Sequence, residues 1–268
     1  MSKRIALVTG GNKGIGWELC LRLKDAGYQV FSASRSKSLP QGMDGIRQIS
    51  VDFSNSLETR TFAEKFLIDH GAPDVLVNNA GYGAFYEWAK FPKDEIARQV
   101  QVLFSSPVEL CRIFAPVMAE RGGGVILNLS SLATLYPLPF MPLYNAGKAA
   151  LSSFSQSLIL EYSHSPAIID FRMGDVRTNF NDSTSKQIDC SPNMKSTWTR
   201  MEKQLKSSIS SQYAAKQIYF RIYTGKSGIF FGGNWFHSRF LPTIFRIIPS
   251  KILKKLISCW YGTSKRIS

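Results

Sequence analysis

The chain carries three side chains whose types and spacing suit acid–base chemistry at a carbonyl or an alcohol: Ser131, Tyr144 and Lys148. Tyr144 and Lys148 lie four residues apart in the segment YNAGK, which places both on one face of a helix. The pKa of a tyrosine is ordinarily about 10, so a phenol is a poor catalyst near neutral pH unless a nearby ammonium lowers that pKa. The Ser131 hydroxyl can hold the substrate oxygen in both redox states. The trio predicts proton transfer by Tyr144; simple packing of the tyrosine is the alternative.

A glycine-rich turn near the N-terminus predicts a phosphate site. The segment TGGNKGIG, residues 9–16, lies between a predicted strand and a predicted helix. Gly10 suits a tight turn, Gly14 and Ile15 bring backbone close to a pyrophosphate, and Gly16 allows close packing of the helix on the strand. The helix N-terminus adds unpaired N–H groups and a positive dipole end. We expect a dinucleotide here; a plain glycine-rich turn is the alternative.

The end of the second predicted strand indicates which nicotinamide dinucleotide is bound. NAD sites usually place a carboxylate there for the ribose 2′-hydroxyl, whereas this strand ends in Ser-Ala-Ser-Arg. Arg35, reinforced by Lys13, can pair with a 2′-phosphate, so we predict NADP(H). Solvated surface cations are the alternative. Asp52, after the third strand, is predicted to contact the adenine edge.

A second turn, NNAG, follows the fourth predicted strand and comprises residues 78–81. It falls at the carboxyl edge of the sheet, where open α/β folds bind ligands. Asn79, Ala80 and Gly81 are therefore predicted to contact the cofactor. The alternative for Asn78 and Asn79 is a structural one, in which their amides satisfy backbone groups of adjacent turns.

The elements that must position these residues alternate regularly between strand and helix. This order predicts βαβ units and a Rossmann-type, doubly wound parallel sheet with helices on both faces. We assign residues 1–235 to one NADP(H)-binding catalytic domain, within which the polar, irregular stretch 179–211 is a substrate loop or lid. The strands are predicted at residues 4–9, 28–35, 45–53, 73–81, 122–131, 167–174 and 228–231, and the helices at about 16–26, 57–70, 92–121, 142–163 and 211–224.

Taken together, TGGNKGIG, Asp52, NNAG, Ser131, YNAGK and MGDVRT resemble the motifs of the short-chain dehydrogenase/reductases over residues 3–178. The resemblance implies Tyr144 as acid–base, Lys148 as its electrostatic and ribose-binding partner, and Ser131 as stabiliser of the substrate oxygen. It also implies that Thr178 meets the nicotinamide carboxamide. In MGDVRT, Met173 stands where the family usually has proline.

One position departs from the family pattern in a way that bears on activity. The family often has an asparagine in the long helix before the fifth strand, where it supports a water that links the lysine to solvent. The register of QVQVLFSSPVEL places Leu103 there, and leucine cannot bind that water. Either Gln101 or another polar group substitutes, or proton relay is impaired. The second reading predicts a cofactor-binding, catalytically weak protein that acts at a membrane or with a partner.

The C-terminal residues 236–268 form a basic, apolar extension. The formal net charge of the chain is +14, and after Glu202 the sequence contains twelve Lys or Arg and no Asp or Glu. From Pro249 onward a helix would align Ile252, Leu253, Leu256, Ile257, Trp260 and Tyr261 in one stripe, with lysines opposite. Two alternatives stay open: contact with an anionic bilayer surface, or packing on the domain or a second subunit. Without an accompanying nucleic-acid-binding motif, the charge does not predict nucleic-acid binding.

The remaining composition fits a cytoplasmic protein, at the membrane surface if the extension docks there. No secretory signal or run of about 18 apolar residues is evident, and the four cysteines are scattered, which favours free thiols and no metal site. The apolar, aromatic extension favours a hydrophobic carbonyl or alcohol substrate, lipid- or steroid-like. The resemblance also implies a homo-oligomer of undetermined size.

Overall fold

The fold is described from a computed structural model that covers residues 4–36, 45–178 and 184–263. Its strands are β1 Ile5–Thr9, β2 Gln29–Ser34, β3 Ile46–Ser50, β4 Val75–Asn78, β5 Ala84–Phe85, β6 Val125–Ser131, β7 Ala167–Met173, β8 Val176–Arg177, β9 Ser185–Lys186, β10 Ile209–Ser210 and β11 Gly228–Gly232. Its helices are α1 Gly14–Asp25, α2 Ser56–His70, α3 Lys93–Val100, α4 Ser106–Glu120, α5 Pro142–Glu161, α6 Pro192–Lys206, α7 Ser211–Thr224, α8 Leu241–Ile247 and α9 Ser250–Tyr261.

A parallel sheet forms the centre of the described part of the molecule. Its seven strands run in the order β11-β7-β6-β4-β1-β2-β3, and every neighbouring pair is parallel. The chain order reverses between β1 and β4, so the glycine turn after β1 and the NNAG turn after β4 meet at the carboxyl edge. The predicted doubly wound α/β fold is confirmed.

Apolar side chains fill both faces of this sheet. On one face, α1 and α7 bury Leu19, Leu23 and Ile218 against the strands. On the other face, α2 and α4 contribute Phe66 and Phe114, and α5 packs beside them. Because strands buried on both sides need apolar residues throughout, segments such as IALVT and VILNL lack the alternation of a half-exposed strand.

A π-helical segment, Gln101–Ser105, joins α3 to α4 in one continuous run from Lys93 to Glu120. This run is the single described helix long and apolar enough to cross a membrane by length and composition. Half of its most apolar window is buried in the fold, and core helices of folded domains pass the same test.

The predicted lid differs from expectation in its secondary structure, whereas the helix predicted from Pro249 onward is present as α9. The stretch 179–211 is not irregular, since it contains the fifteen-residue helix α6; residues 179–183 lie outside the described part. Ser191 caps α6 by accepting from the Met194 N–H, and Pro192 begins it. The extension, described to Thr263, folds into α8 and α9, and α9 packs on α6.

Candidate active site

A cleft of about 420 Å³ opens at the carboxyl edge of the sheet. The ends of β1, β4, β6 and β7 and the first turns of α1 and α5 surround it. It brings together twelve of the residues singled out from the sequence: Gly10, Lys13, Gly14, Ile15, Gly16, Asn79, Ala80, Gly81, Ser131, Tyr144, Lys148 and Thr178. Arg35 and Asp52 do not line this cleft and lie after β2 and β3 on the same edge.

The glycine turn has the geometry of an anion cradle. Gly10 and Gly14 adopt φ of +65° and +56°, a region that favours glycine. A Cβ on Gly16 would lie 2.3 Å from the Gly10 carbonyl oxygen, so only glycine fits there. The first turn of α1 has neither a side-chain cap nor an acidic residue, whereas Asn55 caps α2. The free N–H groups of α1 therefore suit a phosphate.

Asn79 ties this turn to the end of β4. Its Nδ2 donates to the carbonyl oxygens of Thr9, at 2.9 Å, and Gly10, at 3.2 Å. The Thr9 hydroxyl accepts from the N–H groups of Asn79 and Ala80, each at 3.0 Å. The Asn79 amide therefore satisfies backbone groups, as the structural alternative for this residue predicts. By holding the two turns together, Asn79 also shapes the cleft.

Beyond the cleft, Arg35 is exposed directly after β2, where the preceding Ser34 carries no charge. Asp52 accepts from the backbone N–H and the hydroxyl of Ser54, at 2.9 and 2.8 Å. Burial tends to raise the pKa of Asp52, but the Ser54 hydrogen bonds and the positive charges of Arg35 and Arg98 together lower it. Asp52 is thus a carboxylate near Arg35, at the edge where the adenosine end of a dinucleotide would lie.

Ser131 and Tyr144 meet through a hydrogen bond. Ser131 ends β6, and Tyr144 lies in the first turn of α5, which Pro142 begins. Burial of the phenol raises the pKa of Tyr144, the hydrogen bond with Ser131 lowers it, and the charge of Asp175 raises it. The net effect is an upward shift, so the phenol stays protonated at neutral pH in this state.

Lys148 lies one turn further along α5 and is buried. Its Nζ donates to the Leu129 carbonyl oxygen at 2.6 Å. Burial lowers the pKa of Lys148 to about 8, while Asp170 opposes that shift. The sequence predicts that Lys148 lowers the pKa of Tyr144, and the structure differs from this prediction. Burial raises the pKa of Tyr144 and lowers the pKa of Lys148, and the Lys148 amine donates to a backbone carbonyl oxygen.

A buried carboxylate behind the trio was missed from the sequence. Asp170, in β7, accepts from the hydroxyls of Ser130 at 2.5 Å and Ser152 at 2.6 Å. It also pairs with Arg172 Nε at 2.9 Å. Ser130 precedes Ser131, and Ser152 lies one turn after Lys148, so one carboxylate braces both supports of the trio. Two opposite charges at alternate positions of an otherwise apolar strand were the available signal.

Leu103 occupies the space beside Lys148. It is fully buried, and a Cβ added to Gly147 would lie 2.8 Å from the Leu103 Cβ. A Cβ on Gly81 would lie 3.1 Å from Leu103 Cδ2 and 3.7 Å from Lys148 Nζ. Gln101, the predicted substitute, instead donates to the Ser106 hydroxyl at 3.0 Å. An apolar side chain thus adjoins the lysine where the family pattern expects an amide.

The outer wall of the cleft comes partly from α6, within the predicted substrate loop 179–211, and partly from segments that the sequence analysis did not assign to the site. Tyr136 lines the cleft and stacks on Phe245 of α8, with ring centroids 4.9 Å apart. Tyr261, the last residue of α9, is buried and also lines it. The residues on this side also include Leu138, Met141, Asp175, Met201, Gln204 and Leu205. Apolar side chains predominate among these six, beside the Asp175 carboxylate and the Gln204 amide.

α6 holds α9 in place through hydrogen bonds to its C-terminus. The Thr197 hydroxyl donates to the Tyr261 carbonyl oxygen at 3.0 Å. Arg200 Nη1 donates to the carbonyl oxygens of Trp260 at 2.7 Å and Cys259 at 3.2 Å. These bonds satisfy carbonyls that a helix end leaves free, and they fix Tyr261 at the cleft.

The described ranges contain no group of three or more His, Cys, Asp or Glu residues that could hold a metal ion. All four cysteines are free thiols, and burial raises the pKa of Cys20 and Cys111 to about 12. The polar side chains that line the cleft include the Ser131 hydroxyl, the Tyr144 phenol, the Lys148 amine and the Asp175 carboxylate.

Residues 4–189 match the family model of the short chain dehydrogenases. The chain is 30% identical over 183 residues to a 3-ketodihydrosphingosine reductase of Bacteroides thetaiotaomicron, which covers 68% of this chain and 67% of the relative. It is 32% identical over 183 residues to a very-long-chain 3-oxoacyl-CoA reductase of Bos taurus, covering 61% of this chain but only 56% of the relative. Among solved structures, a short-chain dehydrogenase from Streptomyces avermitilis is 23% identical and superposes with a TM-score of 0.80 over 98% of each chain, which supports the fold.

Proposed function

The chain belongs to the short-chain dehydrogenase family of oxidoreductases, which use nicotinamide cofactors, and we propose that it is an NADP(H)-dependent enzyme. In this proposal it interconverts a carbonyl group and an alcohol on a hydrophobic, lipid- or steroid-like substrate. The observation that carries the proposal is the hydrogen-bonded Ser131–Tyr144 pair, which lies in the same cleft as the glycine cradle.

Tyr144 is the proton donor for reduction and the acceptor for oxidation, because its hydroxyl faces the cleft from the first turn of α5. A bound nicotinamide supplies or accepts the hydride. Ser131 orients the substrate oxygen by the same hydrogen-bonding capacity that it uses toward Tyr144. Lys148 binds the ribose hydroxyls of the cofactor, and its charge, when protonated, favours the phenolate.

The preference for NADP(H) rests on charge at the adenosine end. Arg35 is exposed after a strand that ends without a carboxylate, and Lys13 is exposed in the glycine turn. Two cations and no acidic residue at these positions favour a 2′-phosphate over a free 2′-hydroxyl. Gly10, Gly14, Ile15 and Gly16 hold the pyrophosphate in this scheme, and Asp52 contacts the adenine.

The substrate class rests on the outer wall of the cleft. Tyr136, Met201, Leu205 and Tyr261 give it an apolar surface suited to a hydrocarbon or ring system. The relatives named above act, by their names, on a sphingoid ketone and on long-chain acyl groups. Both kinds of compound carry a carbonyl next to a long apolar portion, which supports the proposal.

The test is a panel of apolar ketones and aldehydes assayed with NADPH and NADH in parallel. We expect faster oxidation of NADPH, and we expect Tyr144→Phe to lower kcat by at least about 100-fold with little change in NADPH affinity. Tyr223→Phe, on an exposed tyrosine of α7, is the matched control and should retain activity. Equal turnover by the Tyr144→Phe variant would remove Tyr144 from the mechanism.

A second function is favoured by Leu103 alone. With an apolar side chain beside Lys148, proton exchange with solvent is slow, and the protein binds cofactor with little turnover while acting through a membrane or a partner. Leu103→Asn separates the two functions. A rise in kcat in this variant with unchanged NADPH binding supports the weak-enzyme reading, whereas high wild-type turnover contradicts it.

A further inference from the structure

We propose that the exposed face of α9 is a docking surface for an anionic lipid bilayer. Docking of this face is compatible with either function above, because the face consists of exposed side chains of α9 and contains none of Ser131, Tyr144 and Lys148. For residues 236–268 as a whole, the sequence left membrane contact and packing on the protein as alternatives. The proposal assigns membrane contact to one face of one helix.

The apolar residues of α9 divide into two adjacent stripes at helical spacing. Leu253, Ile257 and Tyr261 form the inner stripe, and Tyr261 is only 3% exposed. Ile252, Leu256 and Trp260 form the outer stripe, with exposures of 53%, 52% and 61%. Packing on the domain therefore uses half of the apolar face and leaves the other half in water.

Two lysines border the outer stripe on the side away from the inner one. A helix turns by about 100° per residue, which places Lys251 and Lys255 next to Ile252 and Leu256. Both lysines are exposed. Neither lysine takes part in an ion pair among the described residues. Apolar residues bordered by lysines are typical of helices that lie in the interface of an anionic membrane.

Trp260 has the amphipathic placement of an interfacial aromatic residue. Its indole N–H donates to Gln204 Oε1 at 3.1 Å, while most of its ring surface is exposed. Tryptophan favours the headgroup region because it combines an apolar ring with a polar N–H. Because this N–H is hydrogen-bonded within the protein, the exposed ring is the part of Trp260 that would contact a membrane.

A second copy of the chain is a poorer occupant of this face. In a two-fold dimer the same patch meets itself, so the lysines of one α9 would approach those of the other. Like charges at an interface oppose association. Anionic headgroups instead complement the lysines while the acyl region takes the outer stripe.

Docking through this face would set the cleft close to the lipid. Trp260 belongs to the outer stripe, and the next residue, Tyr261, lines the cleft. Gln204, which accepts from the Trp260 indole, lines it as well. A lipid-like substrate could therefore pass from the bilayer to the cleft without crossing bulk water.

The experiment is flotation of the full chain with vesicles of phosphatidylcholine mixed with phosphatidylglycerol, compared with phosphatidylcholine alone. We expect wild-type protein to float with the anionic vesicles and to be released by high salt. The variant Ile252→Gln/Leu256→Gln should weaken binding by at least about tenfold. Its matched control is Ile68→Gln/Leu160→Gln, which changes two residues at 84% and 82% exposure on α2 and α5.

The charge contribution is tested separately with Lys251→Gln/Lys255→Gln. Each lysine near an anionic surface strengthens binding about fivefold, so we expect roughly 25-fold weaker binding of this variant to the anionic vesicles. Lys90→Gln/Lys93→Gln, at two exposed positions, is the control. Because all substituted side chains are exposed, circular dichroism spectra should stay unchanged.

Three outcomes would overturn the proposal. One is the absence of wild-type flotation on anionic vesicles. The second is equal loss of binding in the outer-stripe variant and its control, which would indicate unspecific adhesion. The third is a wild-type dimer, seen by analytical ultracentrifugation, that the outer-stripe variant converts to monomer while vesicle binding is unaffected; a second copy would then be the occupant.

Discussion

Lys148 is the residue at which the proposed mechanism and burial conflict, because the mechanism uses a cation where burial disfavours one. Its Nζ lies beneath the cleft, bonded to the Leu129 carbonyl, with Leu103 close by. Burial lowers its pKa from the ordinary 10.5 to about 8. A side chain that destabilises the fold and yet faces the reacting groups is typical of a functional position.

This conflict predicts that Lys148→Met stabilises the protein while removing activity. Below about pH 8 the lysine is protonated in both states, and the folded chain bears the burial cost. Between about pH 8 and 10.5 only the unfolded chain retains the proton, so the free energy of unfolding of the wild type rises with pH. After allowing for the lost hydrogen bond, we expect the variant to gain about 1–3 kcal/mol at pH 7.

Urea denaturation at pH 7 and pH 10 measures this difference, which should narrow at the higher pH. Lys93→Met, at an exposed position, is the control and should change little. A Lys148→Met variant less stable than wild type at pH 7 would mean that the native contacts of the ammonium outweigh its burial.

At the scale of elements, β7 contributes both to the stability of the fold and to the position of the proposed catalytic trio. It is a central strand between β6 and β11, and it carries Asp170 and Arg172 as a buried ion pair. Through Ser130 and Ser152 the same carboxylate reaches the end of β6 and the middle of α5. The relative position of Ser131 and Lys148 therefore depends on a strand that contributes neither residue.

We predict that Asp170→Asn lowers the free energy of unfolding by about 3–5 kcal/mol, because it leaves Arg172 buried without a counter-charge. Equilibrium urea unfolding followed by circular dichroism measures the loss. Asp69→Asn, which breaks the exposed Lys65–Asp69 pair on α2, is the control and should stay near wild type. Similar stabilities of the two variants would indicate that water or Arg172 repositioning compensates for the lost carboxylate.

The conformation of the glycine turn is an element-scale feature that the sequence predicted, while phosphate binding there stays a prediction. Its residues are contiguous, and their conformations follow from glycine's freedom at positive φ. The helix within the predicted lid was missed, because Ser, Thr, Asn and Lys mask the helical spacing of Met194, Trp198, Met201 and Leu205 in α6. Met201 and Leu205 line the cleft, and α6 packs against α9. A local sequence pattern does not reveal these contacts, because they involve distant parts of the chain.

At the scale of the whole molecule, the C-terminal extension is part of the cleft wall. Tyr261 lines the cleft, and Phe245 supports Tyr136. The glycine turn, by contrast, is built from β1, α1 and β4, which precede the extension by more than a hundred residues. In the proposed function, cofactor and substrate are therefore held by parts of the chain that are separate in sequence.

We predict that a chain ending at Pro249 binds NADPH within about twofold of wild type but shows a KM for apolar carbonyl compounds raised by at least about tenfold. The reason is that α9 supplies an apolar wall to the substrate and none of the glycine cradle. Fluorescence titration with NADPH and steady-state kinetics measure the two quantities. Full-length Tyr261→Leu, which keeps α9, is the companion variant. Its KM for apolar carbonyl compounds should lie between those of the wild type and of the truncated chain. An unchanged KM in both would place the substrate away from this wall.

The sequence by itself determined the seven strands of the parallel sheet and, except for α6, the helices between them, and it singled out the glycine turn and the trio of Ser131, Tyr144 and Lys148. These features could be read from short segments with a local periodicity or a fixed spacing. The tertiary structure decided which groups those residues meet. Asp170 lies behind the trio, Leu103 lies beside the lysine, and Tyr261 closes the cleft. These contacts join residues that are far apart in the chain, and burial rather than residue type sets the pKa of Tyr144 and Lys148.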